Sequence, residues 1–294
     1  MLNTLEVKLT SRKETSEYNV QINQATLEIL SLIFEFKIAA SWHVARFLTQ
    51  QDQSTYLYLK LRRMWQAQLL ESFKIFTGSA AGMPVYYMLG KKGLKILGEK
   101  DKYSRNQIKN YPKAKTLLAW SLFKHEAQVV EMASLEAKNS SKNIVITFEG
   151  EDTSQKHELL SDKNVEALTP DYTVHYKFGE MERIVHSEFE RTAKSKEAIL
   201  KKIERYQKYL PMEQRSTATI RVIFQTEGME QSFWLNLFLN KPSLLQNLRI
   251  YTTHLSLLKD YQDFLKPTYA SAKTVKLSKP GRLKVDMSQR IKLF

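Results

Sequence analysis

The chain has 294 residues, 43% of them hydrophobic and 11% aromatic, which is enough apolar material for two packed domains and too much for a disordered chain. It contains no cysteine, which excludes disulfides, thiolate zinc sites and a cysteine nucleophile. The net charge of +14 is unevenly spread, with 15 basic and 4 acidic side chains in residues 37–115, 8 and 1 in residues 266–294, and a net of −2 in residues 116–265; basic flanks on a near-neutral body predict a polyanionic partner, nucleic acid first.

The best apolar run, Ala25 to Ala40, is interrupted by Glu28, Glu35 and Lys37 and falls short of the ~20 residues that span a bilayer. The first residues, Met1-Leu2-Asn3-Thr4-Leu5-Glu6, have no secretion-signal pattern. The expectation is a soluble, cytoplasmic protein without membrane insertion.

Taken in chain order, Leu27, Leu30, Ile33 and Phe34 recur at helical spacing and predict a first helix from Asn23 to about Phe36. Ser41 is a suitable N-cap for a short second helix carrying Trp42, Val44, Ala45, Phe47 and Leu48. Ser54 can cap a third that runs to about Leu70, with Leu57, Leu61, Met64 and Trp65 on one stripe and Thr55, Tyr58, Arg62 and Gln66 on the other side. That order is the layout of a helix-turn-helix with its recognition helix third. Two β-prone runs follow, Glu71 to Phe76 and Pro84 to Leu89, separated by the small-residue loop Thr77 to Met83. A hairpin there makes the domain a winged helix, closed by a basic helix after Gly90. Duplex DNA is the preferred ligand, because a helix enters the DNA major groove and not the narrow A-form one. Lys60, Arg62, Arg63, Lys91 and Lys92 are the candidates for contacting it; the alternative is a helical adaptor whose charges are merely solvated.

Residues 101–115 are polar, contain Pro112 and read as a linker. A long helix follows, with Leu118, Leu122, Val129 and Met132 on one stripe, His125 within it and Glu126 to its side as a weak candidate for a further site carboxylate. Strands are predicted at Asn143–Phe148, Leu168–Tyr176 and Arg183–Glu190, then a lysine-rich helix Ser195–Tyr209, a strand Thr219–Phe224 and a helix Gln231–Leu239. Alternate residues of a strand share a face, so Glu188 and Glu190 point the same way, as His186 does, and an adjacent strand brings Asp171 within ~5 Å of that face. Three carboxylates so gathered repel one another unless a cation neutralises them, and Mg²⁺ or Mn²⁺ prefers such oxygen donors. The competing reading is a charged but inert sheet surface. Other chemistries fit less well: the six histidines form no His-x-His pair, and Gly93 to Gly98 is followed by Glu99 where a P-loop needs Lys-Ser/Thr.

Pro170-Asp171, Glu188-Phe189-Glu190-Arg191-Thr192 and Lys202-Ile203-x-x-Tyr206, placed after a winged helix, resemble the replication-relaxation family of plasmid and mobile-element proteins. Within that family the chain looks most like the MOBC-type mobilisation relaxases, which nick a transfer origin. The resemblance implies a second domain related to the PD-(D/E)xK restriction-nuclease fold, with Asp171 and Glu188 as metal ligands. This sequence has Glu190 where that motif has lysine, so either Glu190 is a further ligand or general base, or a helix lysine, with Lys202 the best match, replaces the missing charge.

The fold class expected is therefore α+β / α/β, an N-terminal winged helix-turn-helix over residues 20–100, the linker 101–115, a restriction-endonuclease-like α/β domain over 116–265 and a basic tail over 266–294. Asp171, Glu188, Glu190 and Lys202 form the expected catalytic set, the three carboxylates holding Mg²⁺ or Mn²⁺. The expected activity is relaxase nicking of origin-of-transfer or origin-of-replication duplex, with other relaxosome or conjugation proteins as partners. The alternative is a non-enzymatic replication or transcription regulator with a degenerate nuclease domain.

Overall fold

The computed structural model describes residues 6–9, 20–76, 84–100, 102–117, 119–138, 145–151, 169–191, 196–210, 218–258, 269–271, 276–277 and 285–287. The chain is a mixed α and β protein that divides into two compact units, Met1–Lys138 and Asn139–Phe294. Among the described residues no helix is long and apolar enough to cross a membrane.

In the first unit, helix α1 (Gln24–Phe36) starts where expected, because the Asn23 side chain accepts from the Thr26 amide at 3.0 Å and satisfies an otherwise orphaned donor. Its apolar stripe buries Ile29, Leu30, Ile33 and Phe34. Helix α2 (Ser41–Thr49) is capped differently from the expectation: Ala40 is the N-cap residue, and His43 Nδ1 accepts the Ala40 amide at 3.0 Å. Helix α3 (Thr55–Gln66) has its expected cap, Ser54 Oγ accepting from the Leu57 amide at 3.3 Å. It stops four residues short of Leu70, because Gln68 turns the chain at φ 65° and Leu70 opens a strand.

Strands β1 (Glu6–Leu9), β2 (Ala39–Ala40), β3 (Leu70–Phe76) and β4 (Val85–Leu89) make a sheet of order β1-β3-β4-β2, with β3 and β4 antiparallel; the loop expected over residues 77–83 lies outside the described residues. Helix α4 (Lys91–Glu99) abuts the turn after α3, where Gly90 N donates to Leu69 O at 2.8 Å. Glycine is required there, since a Cβ on Gly93 would stand 2.3 Å from Leu69 O.

The stretch expected as a linker is instead part of this unit. Tyr103 and Tyr111 are buried against α1, their rings 3.9 and 5.4 Å from that of Phe34. Their hydroxyls donate to Glu35 Oε1 and to Lys37 O, both at 2.7 Å. Short helices α5 (Arg105–Asn110) and α6 (Ala114–Leu117) lead to α7 (Trp120–Lys138). Helix α7, expected in the second domain, also belongs to the first unit. Phe123 meets Phe73 and Tyr86 edge-on, and Glu131 receives Trp42 Nε1 at 3.0 Å, His43 Nε2 at 2.6 Å and Arg46 Nη1 at 2.7 Å. A polar linker was expected because tyrosines add little to an apolar pattern, yet a buried Tyr supplies both ring area and a hydroxyl that needs a partner.

The second unit is built on a six-stranded sheet of order β10-β9-β8-β7-β6-β5. Strands β5 (Val145–Gly150), β6 (Tyr172–Phe178) and β7 (Met181–Glu190) are antiparallel neighbours, with Gly179 at φ 61° in the β6–β7 turn. Strands β8 (Thr219–Phe224) and β9 (Arg249–His254) add to β7 in parallel, as the intervening helices α8 (Lys196–Tyr209) and α9 (Glu227–Asn240) permit. Both helices pack on one sheet face, where Leu200, Ile203, Tyr206, Phe233, Trp234 and Leu237 meet Ile220, Val222, Phe224 and Ile250. A short helix α10 (Leu244–Asn247) precedes β9.

The basic tail is also not a loose extension throughout. Its β10 (Ala270–Ser271) pairs antiparallel with β9, Met287 joins the core, and β11 (Lys276–Leu277) pairs with β12 (Val285–Asp286). Its apolar residues are too sparse in sequence to announce this, because the edge strand is two residues long.

Candidate functional site

Strand alternation in β7 divides its side chains cleanly. Ser187 faces away from the helices and accepts from the fully buried Arg221, Nη2 at 2.7 Å, whose guanidinium also donates to Tyr172 OH at 2.9 Å. His186 and Glu188 face α8, where the His186 ring lies 5.7 Å from that of Tyr206 and Tyr206 OH donates to Glu188 Oε1 at 2.6 Å. Lys202 Nζ forms an ion pair with Glu188 Oε2. Lys202 and Tyr206 are one helical turn apart, so both reach the same strand residue.

Asp171 stands just before β6. The β6–β7 register pairs Tyr172 with Ser187, so Asp171 is level with Glu188, and its Oδ2 accepts from the Phe189 amide at 2.6 Å. Glu190 is buried two residues beyond Glu188, and its charge, with those of Glu188 and Asp171, helps hold the Lys202 ammonium well above its ordinary pKa against the opposing effect of burial. The structure thus places Asp171, Glu188 and Lys202 together, with Glu190 near enough to act on the same ammonium. Tyr206 is the member for which sequence reasoning named no role; its signal was the Lys202-x-x-x-Tyr206 spacing.

Burial pushes Glu188 up from 4.5 to about 7, Lys202 opposes that shift, and the neighbouring Asp171 adds to it. A carboxyl that titrates near neutrality can hold or release a proton at physiological pH. Tyr206 is driven well above its ordinary value by burial and by the Glu188 charge, so it remains a hydrogen-bond donor. On the same face, His175 bridges Glu149 Oε1 at 3.5 Å and Glu182 Oε1 at 3.3 Å, and Glu149 raises its pKa. His186 Nδ1 lies 3.0 Å from Thr173 Oγ1.

Carboxylate oxygens are the donors that Mg²⁺ and Mn²⁺ prefer, and Asp171, Glu188 and Glu190 supply that chemistry. Among the described residues, however, no three His, Cys, Asp or Glu side chains are grouped as a metal ion needs, and Lys202 and Tyr206 engage both oxygens of Glu188. Glu126, the further candidate, is in the first unit and pairs with Lys37 Nζ at 2.9 Å.

The cationic candidates all lie in the first unit. Arg62 and Arg63 are exposed on α3, and Lys91 and Lys92 are exposed on the first turn of α4, which is pinned to the turn after α3. Lys60 is less exposed, because it donates to Asn23 Oδ1 at 3.2 Å and to Tyr56 OH at 3.4 Å. Sequence reasoning missed that Tyr56 and Leu59 are also on the exposed side of α3, at 63% and 45% exposure; their angular positions on the helix were the available signal.

No curated protein and no solved structure matches this chain. A family model does match, described as replication-relaxation, over residues 30–223. The matched span runs from α1 through β8 and contains both the exposed cationic helix and the Asp171–Glu188–Lys202 cluster, and on that match the chain belongs to the replication-relaxation family.

Proposed function

We propose that the chain is a DNA relaxase of the MOBC type, which binds origin duplex through its first unit and nicks one strand at the Glu188 cluster of its second. The observation that carries this reading is the ion pair of Lys202 with Glu188 beside Asp171. A PD-(D/E)xK nuclease needs a carboxylate pair and a lysine; Glu190 occupies the motif lysine's position, and Lys202 brings the missing ammonium from α8. In this reading the first unit is a winged helix, with β3 and β4 as the wing and α3 as the helix that enters the major groove.

Asp171, Glu188 and Glu190 are the oxygen donors this reading assigns to a divalent ion, which requires Lys202 and Tyr206 to release Glu188 and the three carboxylates to draw together; the ion would supply Lewis-acid polarisation of the scissile phosphate. Lys202 places its positive charge where negative charge grows on the phosphate in the transition state. Tyr206 donates to Glu188 Oε1 and fixes the orientation of that carboxyl. Arg62, Arg63, Lys91 and Lys92 bind the phosphate backbone and base edges of the duplex.

A second reading has its own support. With both oxygens of Glu188 engaged and no group of three ligating side chains among the described residues, a degenerate nuclease domain in a DNA-binding regulator also fits. A supercoiled plasmid carrying the element's origin, incubated with Mg²⁺ or Mn²⁺, separates the two. The relaxase reading expects a strand-specific nick that disappears in Glu188→Ala while duplex binding persists; binding without any nick establishes the regulator instead.

A further inference from the structure

Seven large hydrophobic residues stand out as exposed among the described residues, and three of them, Tyr56, Tyr58 and Leu59, belong to α3. A single exposed leucine on a protein surface needs no explanation. Leu59 differs through its position. At 100° per residue it lies ~200° round the helix from Leu57 and ~160° from Leu61, both of which are buried, so it occupies the outermost line of α3. Thr55, Arg62, Arg63 and Gln66 stand at i−4, i+3, i+4 and i+7 from it, which makes them its neighbours on that line.

The cations around Leu59 do not all face the same way. Lys60 is turned toward the amino end of α1 by Asn23 and lies 5.7 Å from the centroid of the Tyr56 ring. Arg62 stands on the other side, ~60° round the helix from Leu59 and away from Lys60. The outermost line therefore has a cationic flank on each side and a branched apolar group in the middle. That arrangement matches a duplex groove, with phosphates at the rims and base edges on the floor. In the major groove, the one apolar group that a base pair presents is the C5-methyl of thymine.

We propose that Leu59 reads a thymine through its C5-methyl group, as the apolar specificity contact of α3. This rests on the reading of α3 as the helix that enters the major groove. Lys60, held aside by Asn23 and Tyr56, and Arg62 on the opposite flank are phosphate contacts at the rims, which leaves the groove floor to Leu59.

The test starts from duplexes enriched by the full chain out of a randomised pool, resynthesised with deoxyuridine at each thymidine in turn. Deoxyuridine pairs identically and lacks only the methyl group. Loss of one buried methyl contact weakens binding about fourfold, so the natural chain loses about that factor at one or two positions. Leu59→Ala, an exposed change to a good helix former, binds all the uridine duplexes equally while keeping the salt dependence of the natural chain. If no uridine position affects the natural chain, or if Leu59→Ala keeps the sensitivity, the thymine contact is wrong even though α3 still binds duplex. If the pool yields no enriched duplex, the groove-binding reading itself fails, and the thymine contact falls with it.

Discussion

Glu131 on α7 and Glu188 on β7 are both carboxylates held by a cation and by neutral donors, and they titrate in opposite directions. Burial raises the pKa of Glu131, but hydrogen bonds from His43, Arg46 and Trp42 outweigh it and bring the group down to about 2. Glu188 has Lys202 and Tyr206, yet burial beside Asp171 lifts it to about 7. The Glu131 side chain keeps 31% of its surface in solvent and Glu188 only 2%. Three donors satisfying one half-wet carboxylate make a clamp between α2 and α7. At Glu188, burial and the neighbouring Asp171 outweigh the Lys202 ammonium and the Tyr206 hydroxyl, which is a condition in which a carboxyl holds its proton more strongly than usual. Sites of function are commonly less stable than the folds that carry them.

The sharpest way to break this contrast is through the cations. If the proposed relaxase activity holds, Lys202→Met is expected to lower nicking by ~10²-fold or more, the usual effect of losing a preorganised charge, whereas Arg46→Met lowers stability and leaves the rate per folded molecule unchanged. Equal losses of rate in the two variants would erase the distinction.

Removing the carboxylates themselves should shift stability in opposite senses. Glu131→Gln leaves His43 and Arg46 without their anionic partner and is expected to destabilise the first unit by about 2 kcal/mol at pH 7, measured by denaturant unfolding. Because the folded pKa of Glu131 is depressed, its contribution is present above 4.5 and fades as pH falls toward 2. The difference between Glu131→Gln and the natural chain should therefore shrink in acid.

Glu188 behaves the other way. A folded pKa raised to about 7 means that stability is fully present below 4.5 and is lost as pH rises through 7. Glu188→Gln removes that loss, so the variant should match the natural chain near pH 4.5 and exceed it by on the order of 1 kcal/mol at pH 8. A variant that is less stable at pH 8 than the natural chain would mean that Glu188 is a structural anchor like Glu131.

What the sequence revealed divides along the same lines. Local signals were legible: the start of the first helix at Asn23, the Ser54 cap, the strand Thr219–Phe224, and the sharing of one face by His186 and Glu188 all depend on residues a few positions apart. The pairing of Asp171 with Glu188 needed one further inference, that the flanking strands are neighbours, and β6 and β7 are. Glu131 was invisible, because its partners lie 85 to 89 residues away and no periodicity links them. The same distance hid the placement of α7 in the first unit. The edge strand β10 was missed since two residues give no alternation to detect. Nor does any spacing disclose a pKa near 7, which arises from the depth of burial and the balance of charges within the folded unit.

The most direct measurement is a carboxyl-carbon NMR titration of glutamate-labelled protein between pH 2 and 9. One resonance should have its midpoint near 7 and vanish in Glu188→Gln, while another should stay ionised to about pH 2 and vanish in Glu131→Gln. A Glu188 resonance titrating at the ordinary value of 4.5 would contradict the assignment of this cluster as the charged, proton-holding site of the protein.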